Sequence, residues 1–208
     1  MVARLLREGR IEDWTVLAAF LRVPRAAFAP PERAREAHGS EAIELSWGQT
    51  LTCPDFVAMM VTAARVKRGD RVLEVGTGTG YQAAVLAACG AEVVSIEIRP
   101  QLHEVARDNH ATLRRRHRAD LRLGDGALGA PDRAPFDAII LGCAAEPLPP
   151  ALIEQLAPGG RVVYPEGDGR QDQLQTLVVI EKTSSGLSRR TLRAAWFVPL
   201  VRPDELAE

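Results

Sequence analysis

Long apolar runs, clustered cysteines and an excess of charge of either sign are all missing from this sequence, and each absence removes a class of function; lysine is scarce. No stretch approaches the ~18 consecutive apolar residues that cross a bilayer. The N-terminal MVARLLREGR lacks the apolar core of a secretory signal. The cysteines are Cys53, Cys89 and Cys143. They are far apart, with no CxxC pair and no metal-ligand spacing, so neither a disulfide framework nor a metal site is indicated. A reducing, cytoplasmic setting is the expectation. Acidic and basic residues nearly balance, 27 against 26, for a net charge of −1. Such a chain has no global attraction for nucleic acid or an anionic membrane, and neither is expected as a partner. Only Lys67 and Lys182 are lysines among the 26 basic residues, a compositional bias rather than a functional sign. The densest basic run, Arg114-Arg115-Arg116-His117-Arg118, reads as a solvated helix C-terminus, where cations suit the dipole. There is no internal repeat and no low-complexity tract.

What is present is a foldable globular chain. With 208 residues and 46% apolar content, it suits one large domain, or one domain with an N-terminal extension. In EDWTVLAAFLRVP, residues Trp14, Val16, Leu17, Phe20 and Leu21 recur at mixed spacings of 3 and 4, as in a packed helix. Pro24, Pro30 and Pro31 then break the pattern. From residue 70 the texture changes. DRVLEVG, AEVVSIEI, ADLRLGDG, FDAIILG and GRVVYP read as strands. Between them lie YQAAVLAAC, an amphipathic QLHEVARDNHATLRRR carrying Leu102, Val105, Ala106 and Leu113 on one side, and PPALIEQLAPGG, a helix closed by glycine. Strands alternating with helices imply a parallel sheet covered on both faces. QLQTLVVIEK and LRAAWFVPL, joined by the polar TSSGLSRR, form an antiparallel hairpin at one edge.

The chemistry-bearing motif is LEVGTGTGY. It ends a strand, places Gly76, Gly78 and Gly80 in a GxGxG pattern, and opens a helix. Glycine allows a tight turn and close approach of a ligand to the backbone, and the helix N-terminus beyond it suits an anion. Glu97 ends the next strand, 21 residues after Gly76, the spacing at which an acid reaches a ribose diol. A dinucleotide would need a third glycine where Tyr81 stands. S-adenosyl-L-methionine has no pyrophosphate, so its methionine carboxylate could use the loop and its ribose Glu97. A purely structural loop is the remaining reading. Thr77, Gly78, Tyr81 and Ile98 complete the expected cofactor set, with Glu74 serving the cofactor's amino group or ordering the loop. Asp125 and Gly126, in GDG after the third strand, are placed near the adenine; alone, that Asp is equally a turn former.

A second motif precedes the first. In LSWGQTLTCPD, Thr52 with Asp55 three residues on makes a capping pair, and Pro54 suits a first helical turn. The helix that follows, PDFVAMMVTAA, would bury Phe56, Val57, Met60, Val61 and Ala64.

Taken together, VPRAAF, GQTLTCP, VLEVGTGTGYQAAVLA, GDGALG, APFDAII, LPPALIEQLAPGGRVVYP and FVPL occur in an order and spacing that resembles the protein-L-isoaspartate O-methyltransferases, from about Val23 to Leu200. The resemblance implies an α/β, Rossmann-like seven-strand methyltransferase sheet with an N-terminal helical cap. Residues 1–54 would form the cap and substrate-side loop, and 55–208 the S-adenosylmethionine-binding domain. It implies methyl transfer to the carboxylate of isoaspartyl residues in proteins or peptides, by a monomer or weak homo-oligomer. Such a carboxylate is ionised at neutral pH, since its reference pKa is ~4, so no general base is required. His38, His103, His110 and His117 then need no catalytic role, and the last three are assigned to surface or helix-face positions. The catalytic serine of the family corresponds to Thr52, which with Thr50 would meet the acceptor. Gln49, Leu51, Cys53, Ala144, Ala145 and Glu146 would border the substrate. Departures gather on this side: His38, Ser40 and Glu44-Leu45-Ser46 replace the usual upstream residues, and Cys143-Ala144-Ala145-Glu146 replaces an Ala-Ala-Ala-Pro loop. An acid at Glu146 facing an anionic acceptor would repel it, unless it points outward or meets an arginine. A different peptide or small-molecule acceptor, or a cofactor-binding module without catalysis, are the alternatives.

Overall fold

The computed structural model describes residues 1–114, 117–170 and 173–206. The N-terminal part is helical and irregular. Helix α1 (Val2–Arg7) is followed by α2 (Trp14–Arg22), where Asp13 accepts from Thr15 N at 2.6 Å and Val16 N at 3.3 Å. This cap satisfies donors that a helix cannot satisfy internally. Val16, Leu17, Ala19 and Phe20 face inward, whereas Trp14 and Leu21, expected in the core, are 76% and 68% exposed. At about 100° per residue those two share one side of the helix, opposite the Val16–Phe20 stripe.

Prolines hold the next segment to 3-10 turns at Arg25–Phe28 and Pro31–His38. A small antiparallel ribbon, β1 (Ile43–Glu44) with β2 (Thr50–Leu51), then leads into α3 (Pro54–Ala64). Cys53, not Thr52, occupies the N-cap of α3, and no side chain caps it. Pro54 at the first position brings no N–H that would need an acceptor. Asp55, expected to pair with Thr52, instead accepts from Arg4 at 3.2 and 2.6 Å and lies 3.6 Å from Arg10. The start of the chain is thereby tied to α3. Of the α3 residues expected inside, Val57, Met60, Val61 and Ala64 are buried and Phe56 is half-buried.

The sheet comprises β3 (Arg71–Val75), β4 (Glu92–Glu97), β5 (Asp120–Leu123), β6 (Phe136–Leu141), β7 (Leu156–Glu166), β8 (Gln175–Thr183) and β9 (Gly186–Ala195). Helices α4 (Tyr81–Ala88), α5 (Pro100–Ala111) and α6 (Pro150–Glu154) lie between them. Its 7 strands run in the order β5-β4-β3-β6-β7-β8-β9. Neighbours from β5 to β7 are parallel, while β8 and β9 pair antiparallel, as the sequence pattern predicts. The chain leaves β3 toward β4 on one side and returns beyond it to β6 on the other. The carboxyl end of β3 is therefore the switch point at which such sheets bind ligands. Strand alternation splits the core between the two faces: Val72 packs with Phe20, Val57 and Leu86, and Leu73 and Val75 pack with Ile139, Leu152 and Val162. The N-terminal elements share the first of these clusters with α3 and α4. Each fully buried Leu, Phe or Ile contributes about 1.5–3 kcal/mol relative to exposure.

Two helices differ from expectation. The segment read as one helix through Gly160 stops at Glu154, and Leu156–Gly160 already belong to β7. Gly159, at φ 78°, turns the chain inside the strand instead of closing a helix. On α5 the buried stripe is Leu102, Ala106 and His110. Val105 is 38% exposed, and Leu113 lies beyond the helix end. From the basic run, Arg115 and Arg116 lie outside the described residues. Arg118 donates to the carbonyls of Leu113 at 3.0 Å and Ala111 at 2.8 Å, a cation serving the helix C-terminus. His110 and His117 are buried rather than on the surface, while His103 is half-buried. Among the described residues no helix is long and apolar enough to cross a membrane.

Candidate active site

The glycine loop connects β3 to α4 and carries Gly76, Gly78 and Gly80 at φ 85°, 57° and 88°. Three side chains from two other elements hold its backbone. Glu97, at the end of β4, accepts from Gly78 N at 2.8 Å and from Arg99 N at 3.0 Å. Asn109 on α5 donates to Thr79 O at 3.0 Å, and His110 Nε2 donates to Gly80 O at 2.8 Å. His110 Nδ1 accepts from Ala119 N at 3.3 Å, which fixes the tautomer with the proton on Nε2. Burial holds His110 below its ordinary pKa, so the neutral ring is the stable form. A Cβ on Gly80 would stand 2.8 Å from that ring, so the loop and the histidine fit only with glycine there.

Beneath the loop lies a buried polar chain. Ser95 donates to Glu74, Thr77 and Ser95 hydroxyls meet at 2.6 Å, and Gln82 Nε2 donates to Glu74 at 3.0 Å. No cation pairs with Glu74 within salt-bridge distance among the described residues. Burial raises its pKa to about 7, opposed by the Ser95 and Gln82 hydrogen bonds. Burial also raises Glu97, opposed by backbone donors from Arg99, Gly78 and Ile98. Cys143 is pushed up to about 12 by burial and by Glu97 and Glu74, so it is an inert thiol.

One pocket joins this loop to the turn at residues 49–52. Gln49, Thr50, Leu51 and Thr52 form one wall. Glu74, Gly76, Thr77, Gly78, Tyr81, Glu97, Ile98 and Gly126, all expected at a cofactor, line the other. Its charged lining residues are Glu74, Glu97 and Arg99, an excess of acid suited to a cationic guest. At Gly78 a Cβ would meet nothing within 4 Å. The absence of a side chain leaves backbone accessible to a ligand there. S-adenosylmethionine, with its sulfonium and ammonium, fits this donor and acceptor set.

Six expected residues stand elsewhere. Gly80 lies behind the loop, against His110. Asp125 takes the turn-forming role: it accepts from Ala127 N at 2.8 Å and lies 3.7 Å from Arg202. Cys53 sits at the α3 N-cap, with its thiol pKa raised by burial. Ala144 and Ala145 are buried behind the pocket. Ala144 nevertheless bonds the segment that lines it, donating to Val198 O at 2.8 Å and accepting from Leu200 N at 2.7 Å. Glu146 does not line the pocket; it is exposed.

Residues not anticipated include Thr79, Gln82, Arg99 and the segment 198–201, all in the wall, with Asn109 and His110 behind it. The most consequential is Arg25, only 2% exposed. Its guanidinium donates to the carbonyls of Ala37, Glu41 and Leu51 at 3.2 Å and of Thr52 at 3.1 Å. It thus pins the 49–52 wall from behind, with burial lowering its pKa. A lone arginine between apolar Val23, Ala26 and Phe28 was the available signal. Neither Thr50 nor Thr52 uses its hydroxyl in a hydrogen bond among the described residues, so both can donate into the pocket.

The sequence profile of the protein-L-isoaspartate(D-aspartate) O-methyltransferase (PCMT) family matches residues 1–205. A protein-L-isoaspartate O-methyltransferase of Gloeobacter violaceus (strain ATCC 29082 / PCC 7421) is 43% identical over 202 residues, covering 97% of this chain and 97% of that one. Among solved structures, a protein-L-isoaspartate O-methyltransferase aligns with TM-score 0.84 at 25% identity over 97% of this chain; the alignment spans 65% of that longer chain. A Plasmodium falciparum protein assigned to the same activity, solved with S-adenosyl-L-homocysteine, aligns with TM-score 0.81 at 22% identity over 96% of each chain, a likeness of fold.

Proposed function

The chain belongs to the protein-L-isoaspartate(D-aspartate) O-methyltransferase family, and from that premise we propose that it transfers a methyl group from S-adenosylmethionine to the free carboxylate of L-isoaspartyl residues in proteins or peptides. The observation that carries this reading is the single pocket in which an acid-flanked glycine loop faces two unengaged threonine hydroxyls. When bound, S-adenosylmethionine supplies an already activated methyl group.

The chain's own residues do the remaining work. Glu97 presents a buried carboxylate to a diol, and its loop bonds fix that carboxylate in place. Glu74 offers a buried carboxyl to the cationic end of the cofactor. Loop N–H groups and the first turn of α4 favour the cofactor's carboxylate. Thr52 and Thr50 donate to the acceptor carboxylate, which is ionised at neutral pH and needs no base. Orientation and exclusion of water are the main sources of rate in such a transfer. Residues 49–52 and 198–201 supply both by closing over the pocket. Residues 1–54 act as the substrate-side cap. Glu146, exposed, gives no charge-based reason for a different acceptor.

The test mixes enzyme, methyl-labelled S-adenosylmethionine and an isoaspartyl peptide. Base-labile label on that peptide, absent from the matching aspartyl peptide, is expected; equal label on both peptides would sink the reading.

A further inference from the structure

A second cavity, of about 550 Å³, adjoins the first. Its walls come from the Arg25–Phe28 turn and the prolines after it, the Leu45–Trp47 turn, and α5. Phe28, Leu45, Trp47 and Val105 make it apolar; Glu32 is its one charged lining residue. The two cavities share a wall at Thr79. They also share a chain segment, because the turn carrying Trp47 continues directly into the 49–52 wall.

Two further observations mark the cavity as a ligand surface. Trp47 is 46% exposed and Val105 38%, so large apolar groups stand at its rim where no protein atoms cover them. Trp47 also adopts φ 61°, a left-handed conformation that is an outlier for a bulky residue. Such strain persists where the surroundings over-determine it and clusters at ligand clamps. Here the Leu45 N–H to Gln49 O bond at 2.8 Å closes the turn around it.

Resting on the function proposed above, we infer that this cavity receives the apolar or aromatic side chain of a residue flanking the isoaspartyl acceptor. The substrate is a polypeptide, so its chain must continue from the acceptor pocket across the adjoining surface at about 3.3–3.6 Å per residue. The adjoining surface bounded by Thr79 and Trp47 is apolar and concave, the form that takes up an apolar side chain. Glu32 at the same site disfavours an acidic neighbour.

The experiment compares isoaspartyl peptides that differ only in the flanking residues: Leu or Phe, Gly, or Asp. Wild-type enzyme is expected to prefer the apolar peptide to the Gly peptide by about tenfold in kcat/KM, the partial burial of one such side chain. The preference should reside mainly in KM, and the Asp-flanked peptide should be poorest. Trp47→Ala and, independently, Val105→Glu should bring the apolar-to-glycine ratio close to 1. Equal kcat/KM for the Leu- and Gly-flanked peptides, or a preference that survives both substitutions, would overturn the inference. Absence of methyl transfer even to the Gly-flanked peptide would instead overturn the underlying function, and the subsite with it.

Discussion

The two walls of the pocket are built in opposite ways. On the cofactor side, three side chains hold the loop: Glu97, Asn109 and His110 each bond its backbone from the strand and helix that follow it in sequence. On the acceptor side a single buried group, Arg25, gathers carbonyls from three separate segments, at Ala37, Glu41 and Leu51–Thr52. The first wall is held redundantly, by three side chains; the second depends on one pin. Damage to the two sides should therefore separate into cofactor affinity on one and acceptor turnover on the other.

The largest expected effect comes from removing the pin. Arg25→Met leaves four carbonyls without their donor. Thermal or urea unfolding should show a loss of about 3 kcal/mol, since each unsatisfied buried group costs roughly 1–3 kcal/mol and relaxation recovers part. Among folded molecules kcat should fall while S-adenosylmethionine affinity changes little. A matched loss of both would break the proposed separation. Next, Glu97→Gln weakens the diol acceptor and the bond to Gly78. Calorimetry should show cofactor Kd rising by about 30-fold, from the loss of roughly 2 kcal/mol of charge-assisted hydrogen bonding. Turnover at saturating cofactor should be much less affected.

Asn109→Ala should raise the same Kd by about fivefold, the value of one ordinary hydrogen bond. His110→Leu should do likewise, because it removes the donor to Gly80 O. Glu74 adds a pH dependence. Burial raises its pKa from 4.5 to about 7, so the folded protein holds this proton more tightly than the unfolded chain does. The associated stability is full below 4.5 and is lost as pH rises through about 7. A cationic cofactor prefers the ionised form, so its affinity should rise over that same window. Glu74→Gln should abolish both trends, and unfolding and binding measured at several pH values would show this. The smallest effect belongs to Glu146→Gln: being exposed and outside the wall, it should leave kcat/KM on an isoaspartyl peptide within about twofold.

This contrast also explains what could be read in advance. The alternating strands, the order of motifs, the glycine loop and Glu97 are patterns within short segments, and the loop and the acid that they single out line one pocket. The end of α6 was missed because Leu156–Gly160 carry the apolar and glycine residues of a helix end but belong to β7, where Leu156 pairs with Phe136 and the ladder resumes at Arg161 with Ala138. Trp14 and Leu21 were misplaced because mixed spacing did not distinguish the two faces of α2. Thr52 read as a cap because a cap depends on neighbours alone. In the fold, Pro54 and Asp55 settle that helix start without it, leaving its hydroxyl free. Asp125 and Glu146 were assigned by position in a motif, while their surroundings turn one toward its own backbone and the other to solvent. Arg25 was not anticipated because its partners are backbone carbonyls 12 to 27 residues away, which no residue type marks in the sequence.

The most direct test of the acceptor wall is a pair of substitutions at Thr52, with turnover of an isoaspartyl peptide measured beside S-adenosylmethionine binding. Thr52→Val keeps the shape and removes the hydroxyl. Its kcat/KM should fall by about 100-fold, as for loss of one positioned donor, with cofactor Kd unchanged within twofold. Thr52→Ser should retain wild-type turnover. Full activity in Thr52→Val would contradict the assignment of that hydroxyl to the acceptor carboxylate.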